Sequence, residues 1–174
     1  MGRLFTDAYG PRFGVMDAEA LYSDHHDDLL QYLVWYTGDS EQAADAAQET
    51  FLRLLSRPPE RPGNLRPWLF KVATNIVRDG WRRRREFEFL DETIASPDDP
   101  VLALEHTERR RTVQRALQRL SARLRAVLLM REQGFTHKEI GKILGISHNS
   151  VGPLAARGLI RLEKALLQEA VDEP

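Results

Sequence analysis

Lys71, Asn75 and Arg78 recur at spacings of four and three, and Trp81 then leads four consecutive arginines, Arg82–Arg85. On a helix these residues share a face. Their chemistry is non-covalent: cations track phosphates, while aromatic rings and amides receive unstacked bases. The bland alternative buries Trp68 and Trp81 and makes the arginines a solubilising helix end favoured by the helix dipole. For Trp68 burial is the better reading, but solvation alone does not account for four adjacent arginines.

A second pattern spans Thr136 to Leu162, THKEIGKILGISHNSVGPLAARGLIRL. Thr136 with Glu139 three residues later forms a capping box, Gly145 marks a sharp turn, and Ser147 caps a second helix. Ile140, Ile143 and Leu144 give the first helix an apolar face that Ile146, Val151 and Leu154 continue. Two short helices joined at a steep angle by a glycine turn place a helix in the DNA major groove, or else form an ordinary helical corner. The polar residues that such a unit offers are Lys138, Ser147, His148, Asn149, Ser150, Arg157 and Arg161.

Bond-making chemistry has no comparable pattern. There is no nucleophile–base–acid arrangement, no phosphate-binding glycine loop with its lysine, and no HExxH. His25 and His26 are adjacent in an acidic stretch, but neighbouring side chains on a helix diverge by about 100°, so a metal site there is disfavoured. No enzyme, metal or cofactor is expected. With no cysteine among 174 residues, disulfides and thiol switches within the chain are excluded.

The elements that must position these groups all read as helices. Asp17 caps a helix to about Thr37, with Leu21, Tyr22, Leu29, Leu33 and Tyr36 inward. Asp39 or Ser40 caps a helix over 41–55 that buries Ala43, Ala47, Phe51 and Leu54 or Leu55. Arg57–Asn64, with three prolines, is a loop. A helix over 65–85 carries Pro67 in its first turn, where the missing N–H costs little, and turns Trp68, Leu69, Val72, Ile76 and Val77 inward. Helicity resumes near Val101 to about Arg119, then over 122–131, with Leu117, Leu120, Leu124, Val127, Leu128 and Met130 as a second core. The last helix extends to about Ala170.

The net charge of -1 conceals strong segregation. Residues 86–108 hold eight acids and no lysine or arginine, whereas 41–85 and 109–174 are both basic. Local fields of this kind, rather than the total, steer a polyanion. The acidic stretch reads at minimum as a solvated linker. No apolar run approaches the roughly 20 residues that span a bilayer, and the N-terminus lacks the order of a secretory signal, so a cytoplasmic protein without membrane insertion is expected.

The ordered set SEQAADAAQETFLRLL (from Ser40), Leu65–Arg85, and LQRLSARLRAVLLMREQGFTHKEIGKILGISHNSVGPLAARGLIRLEKAL resembles the extracytoplasmic-function class of bacterial sigma-70-family sigma factors, over about residues 18–167. The resemblance implies an all-α fold of two small domains. In chain order it gives a flexible arm (1–16), a sigma-2-like helical bundle (17–85), a flexible acidic linker (86–108), a sigma-4-like helix-turn-helix domain (109–170) and a tail (171–174). It implies an alternative sigma factor that binds core RNA polymerase and directs promoter-specific initiation. The other class of reading is a helix-turn-helix repressor acting without polymerase.

By the same resemblance, Asp45, Gln48, Glu49 and Arg53 dock on the clamp helices of the largest polymerase subunit, with Phe51 internal. Arg61, Asn64, Arg66, Lys71, Asn75, Arg78 and Arg82, Arg83, Arg84 and Arg85 meet the -10 element. Lys138, Ser147, His148, Asn149, Ser150, Arg157 and Arg161 read the -35 element. Further partners implied are the polymerase flap region, promoter DNA and an anti-sigma factor. The linker would run near the RNA exit path of polymerase, or serve only as a spacer. One departure stands out: Gly152-Pro153-Leu154 replaces the polar residues usual in the recognition helix. Pro153 there predicts a kink or a late start.

Overall fold

A computed structural model describes residues 18–59, 64–88 and 107–172, and all regular structure among them is helical. The helices are α1 (Ala18–Thr37), α2 (Ser40–Ser56), α3 (Leu65–Glu88), α4 (Thr107–Gln118), α5 (Ala122–Glu132), α6 (His137–Leu144) and α7 (His148–Asp172). Expectations for the N-terminal arm, for Arg61, for residues 89–106 of the acidic linker and for the last two tail residues fall outside the described residues.

The first body is α1–α3. Asp39 takes the capping position of α2, its carboxylate accepting from the Gln42 N–H at 3.0 Å. Ala43, Ala46 and Ala47 let α2 approach α1 closely, and Phe51 and Leu54 are buried as expected. Leu69 and Val77 face inward as read, with Phe70, Ala73 and Thr74 beside them; Trp68 is partly buried against the core. The buried Thr74 hydroxyl meets that of Tyr32 at 2.9 Å, a polar pair at the centre of this bundle.

Tyr22 corrects one expectation. It is 47% exposed, near the start of α1, where its ring stacks on His26 at 4.4 Å and leans on Phe51 at 4.8 Å. It covers the rim of the core rather than filling it.

The second body is α4–α7, with Leu117, Leu120, Leu124, Val127 and Met130 buried and Leu128 half-buried. Ser121 caps α5 and Thr136 caps α6 with its full capping box. Two glycines fix the turn between α6 and α7. Gly145 has φ +66°, the left-handed conformation that ends α6. At Gly141 a Cβ would stand 2.9 Å from the carbonyl oxygen of Ile146, so only glycine admits the approach of the two helices. Pro153 does not break α7, which begins at His148 directly after Ser147 and continues unbroken to Asp172. Proline here falls in the second turn, where the helix forfeits a single hydrogen bond that the buried Val151 and Ala155 on either side compensate by packing.

The expected two separate cores are joined by a packed seam: buried residues form one contiguous cluster from Leu29 to Ala155. At the seam the second body caps the C-terminal end of α1. Gln114 donates to the Val34 and Trp35 carbonyls at 3.3 and 3.2 Å, and Arg125 to the Tyr36 carbonyl at 2.6 Å. The last turn of α1 has no basic residue of its own, so Arg125 supplies the positive charge that a helix C-terminus favours.

Candidate nucleic-acid and polymerase interfaces

Of the α2 set, Asp45 and Gln48 are exposed, and Arg53 donates to Glu49 at 2.7 Å one helical turn away. Both members of this ion pair are about half exposed, so it orients side chains more than it stabilises the fold. These four residues line one outward strip, opposite the alanine face that packs on α1.

Along α3, Lys71, Asn75 and Arg78 are all exposed on the same side, followed by Arg82, Arg83 and Arg84. Arg85 lies on α3, but its side chain is outside the described ones. Arg82 pairs with Asp79 at 3.3 Å. Trp81 is not a free stacking platform: its ring packs on Tyr36 at 5.1 Å and its indole N–H donates to Gln42 at 3.0 Å. That anchor holds the base of the arginine run against the bundle. Arg83 and Arg84 of α3 and Asp45 and Glu49 of α2 line a shared shallow groove of about 470 Å³. The α2 strip and the arginine run of α3 therefore share an edge rather than occupying opposite faces.

Two members of the set have structural engagements. Asn64 accepts from the Arg66 N–H at 3.2 Å across the start of α3. Arg66 is largely consumed: it donates to the Gln133 carbonyl and side chain at 2.8 and 2.9 Å, pairs with Asp28 at 3.4 Å, and its guanidinium lies 4.4 Å from the Phe135 ring centre. Phe70 meets Phe135 edge-on at 4.8 Å beside it.

In the second body, Lys138, His148, Asn149 and Ser150 project from the α6–α7 turn, with Arg157 and Arg161 further along α7; all are exposed. The Ser147 hydroxyl accepts from the Asn149 N–H at 3.3 Å, so this residue caps α7 and flanks the exposed residues of its first turn. Glu139, accepting from the backbone and then the hydroxyl of Thr136, is held below the usual carboxylate range and fixes the entry to α6.

Sequence reasoning missed Arg125, which is only 6% exposed. Besides Tyr36 it donates to the carbonyls of Gln118 and Leu120 and to the Gln118 side chain, tying the α4–α5 turn to α1. Burial pulls its guanidinium below the ordinary arginine range, and burial likewise pushes the Tyr36 phenol up to about 12. Among the described residues no group of three or more histidine or acidic side chains converges on a metal-sized site, and no helix is long and apolar enough to cross a membrane.

Two family descriptions match the chain: Sigma-70 region 2 over residues 21–87 and Sigma-70, region 4 over residues 110–162. The ECF RNA polymerase sigma factor SigL of Mycobacterium tuberculosis (strain H37Rv) is 35% identical over 143 residues, covering 76% of this chain and 78% of that one. The RNA polymerase sigma factor CarQ of Myxococcus xanthus is 33% identical over 166 residues, 89% of this chain and 92% of its own length. Among solved structures, the sigma factor RpoE in complex with the anti-sigma factor NepR from Bartonella quintana shares the fold. The TM-score is 0.76 at 23% identity, over 87% of this chain and 98% of that one.

Proposed function

The chain belongs to the extracytoplasmic-function class of sigma-70-family RNA polymerase sigma factors, and from that premise we propose how its surfaces divide the work of promoter-specific initiation. It is an alternative sigma factor acting with RNA polymerase. The observation that carries this is the ordered pair of region 2 and region 4 on one chain. A helix-turn-helix repressor needs no region 2, and that match sets the repressor reading aside.

On our reading, residues 17–85 bind polymerase and the -10 element, and 109–170 bind the -35 element. Asp45, Gln48, Glu49 and Arg53 supply the polymerase contact. Lys71, Arg78 and the arginines after Trp81 supply sequence-independent phosphate attraction, which positions DNA without reading it. Asn75 and the loop before α3 influence base preference in the melted strand. The α6–α7 turn presents His148, Asn149 and Ser150 to base edges. Lys138 and Ser147 flank them, and because Pro153 leaves α7 unbroken, Arg157 and Arg161 complete the set further along the same helix. The protein performs no bond chemistry itself, works in the cytoplasm, and is held in check by a separate anti-sigma factor. Support for that last partner is the fold shared with the NepR-bound RpoE.

The test mixes the purified chain with core polymerase and follows binding and transcription from genomic fragments. Charge reversal at Asp45 or Arg53 is expected to weaken core binding at least several-fold while leaving the melting temperature nearly unchanged. Absence of both core binding and promoter-dependent transcripts would refute the reading.

A further inference from the structure

Helix α7 turns Val151, Ala155, Gly158 and Ala165 into the second body. On a 3.6-residue repeat, the ridge opposite them is Asn149, Pro153, Ala156 and Ile160, at successive spacings of four, three and four. All four are exposed, Ile160 to 68%. Beyond Asn149, the side chains that point straight away from the fold therefore offer no hydrogen-bond donor or acceptor. One edge of the ridge is polar and basic, with Ser150, Arg157 and Arg161 along it, all exposed. The stretch 140–162 holds Lys142, Arg157 and Arg161 and no aspartate or glutamate. An apolar ridge with a cationic edge, continuous with the exposed first turn of α7, suits a polyanion that displays apolar groups between its phosphates.

In the major groove one group answers that description. Thymine presents its 5-methyl there, whereas the other three bases present only donors and acceptors. A proline ring or an alanine methyl set against a G·C edge strips water from guanine O6 or cytosine N4 and returns no bond. Set against thymine, the same side chain buries a methyl group.

We propose that Pro153 and Ala156 read thymine in the -35 element through its 5-methyl group. Asn149 ahead of them bonds a base edge, and Arg157 and Arg161 hold the flanking backbone. This rests on the proposed reading that α7 enters the major groove. Three residues of helix span about 4.5 Å of axis, near the 3.4 Å step between base pairs, so the two side chains address neighbouring pairs. Proline in the second turn of α7 is then a specificity element.

The test uses the full chain assembled with core polymerase on a promoter that this holoenzyme transcribes. Each thymine of the -35 region, on either strand, is replaced in turn by deoxyuracil, which removes only the methyl group, and binding is read by competition. One or two positions are expected to lose about fourfold, the weight of one buried methyl. Where such a T·A pair is replaced by C·G, 5-methylcytosine should bind about fourfold more tightly than cytosine. In holoenzymes carrying Pro153→Ser or Ala156→Ser, thymine and uracil should bind alike at the position that the altered residue faces. Far-UV circular dichroism checks helix content; if Pro153→Ser loses it, Ala156→Ser carries the test. Uracil without effect anywhere in the -35 region, where base changes still matter, would overturn the proposal alone. Indifference to every base change there would overturn the groove reading with it. A uracil effect undiminished in both variants would also refute the proposal. So would variants that lose transcription equally on thymine and uracil templates, which would mark the ridge as a protein contact.

Discussion

Replacing Arg125 with methionine removes a side chain that ties the α4–α5 turn to the end of α1. The guanidinium serves three backbone carbonyls, those of Tyr36, Gln118 and Leu120, at 2.6, 3.1 and 3.1 Å. Hydrogen bonds to a charged group contribute about 1.5–3 kcal/mol each, and three come to roughly 5–9 kcal/mol. Against this stands the desolvation of a cation that is 6% exposed, several kcal/mol after relaxation. Methionine removes both terms, fills much of the volume, and strands the carbonyls. A net loss of about 3 kcal/mol is expected, because each buried carbonyl left without a donor costs about 1–3 kcal/mol. For a cooperative unit of this size that is a fall in melting temperature of roughly 6–12 °C. Thermal denaturation followed at 222 nm measures it. Arg125→Lys should recover only part of the loss, because one ammonium cannot reach carbonyls that a planar fork serves together. If Arg125→Met melted within about 2 °C of wild type, the desolvation cost would cancel the bonds, and Arg125 would not be a net source of stability at the seam.

Three further outcomes are expected. The Tyr36 phenol is raised to about 12 by burial, so the stability it confers is complete below about pH 10, its unfolded value, and is lost as pH rises from there toward 12. Its hydroxyl has no hydrogen-bond partner among the described residues, so Tyr36→Phe should be neutral or stabilising at pH 7 and should flatten the alkaline loss, read from urea midpoints across that range. Gly141→Ala, normally favourable in a helix, should instead destabilise by about 1–3 kcal/mol because the new Cβ meets the Ile146 carbonyl; an unchanged or higher melting temperature would deny the close approach. Neutralising Arg82, Arg83 and Arg84 should weaken DNA binding across all promoters and reduce the salt slope, whereas Asn75→Ala should shift preference among -10 sequences; an unaltered salt slope for the arginine variants would reverse the assignment.

Periodicity carries the helices and most buried positions because it reports which side of a helix is apolar. Ala43, Ala47, Phe51 and Leu54 lie inward for that reason, as does the Leu117–Met130 set. It reports nothing about what meets that side from far along the chain. Arg125 reaches an acceptor 89 residues away, and Arg66 one 67 residues away. A charged helical residue reads by default as solvated. The local sign for Arg125 is its apolar neighbours at three and four residues, Ala122, Leu128 and Leu129. Trp81 is ambiguous in the sequence because a tryptophan before four arginines suits either a core anchor or a base platform; Gln42 and Tyr36 decide it. Pro153 misleads because its effect depends on the distance from the helix start, and His148 sets that start.

Helix α7 has a mechanical property that follows from its length. At its far end the buried Glu169 is gripped by Arg115 at 2.8 Å and Arg119 at 2.5 Å, both on or just beyond α4. From Glu169 back to His148 the unbroken helix makes a lever arm of roughly 32 Å at about 1.5 Å per residue. A tilt of about 3° at that grip therefore swings the tip by roughly 1.7 Å, more than half a hydrogen-bond length. On the proposed reading of His148, Asn149 and Ser150, alterations at Glu169, Arg115 or Arg119 would therefore shift promoter choice from the opposite end of the helix.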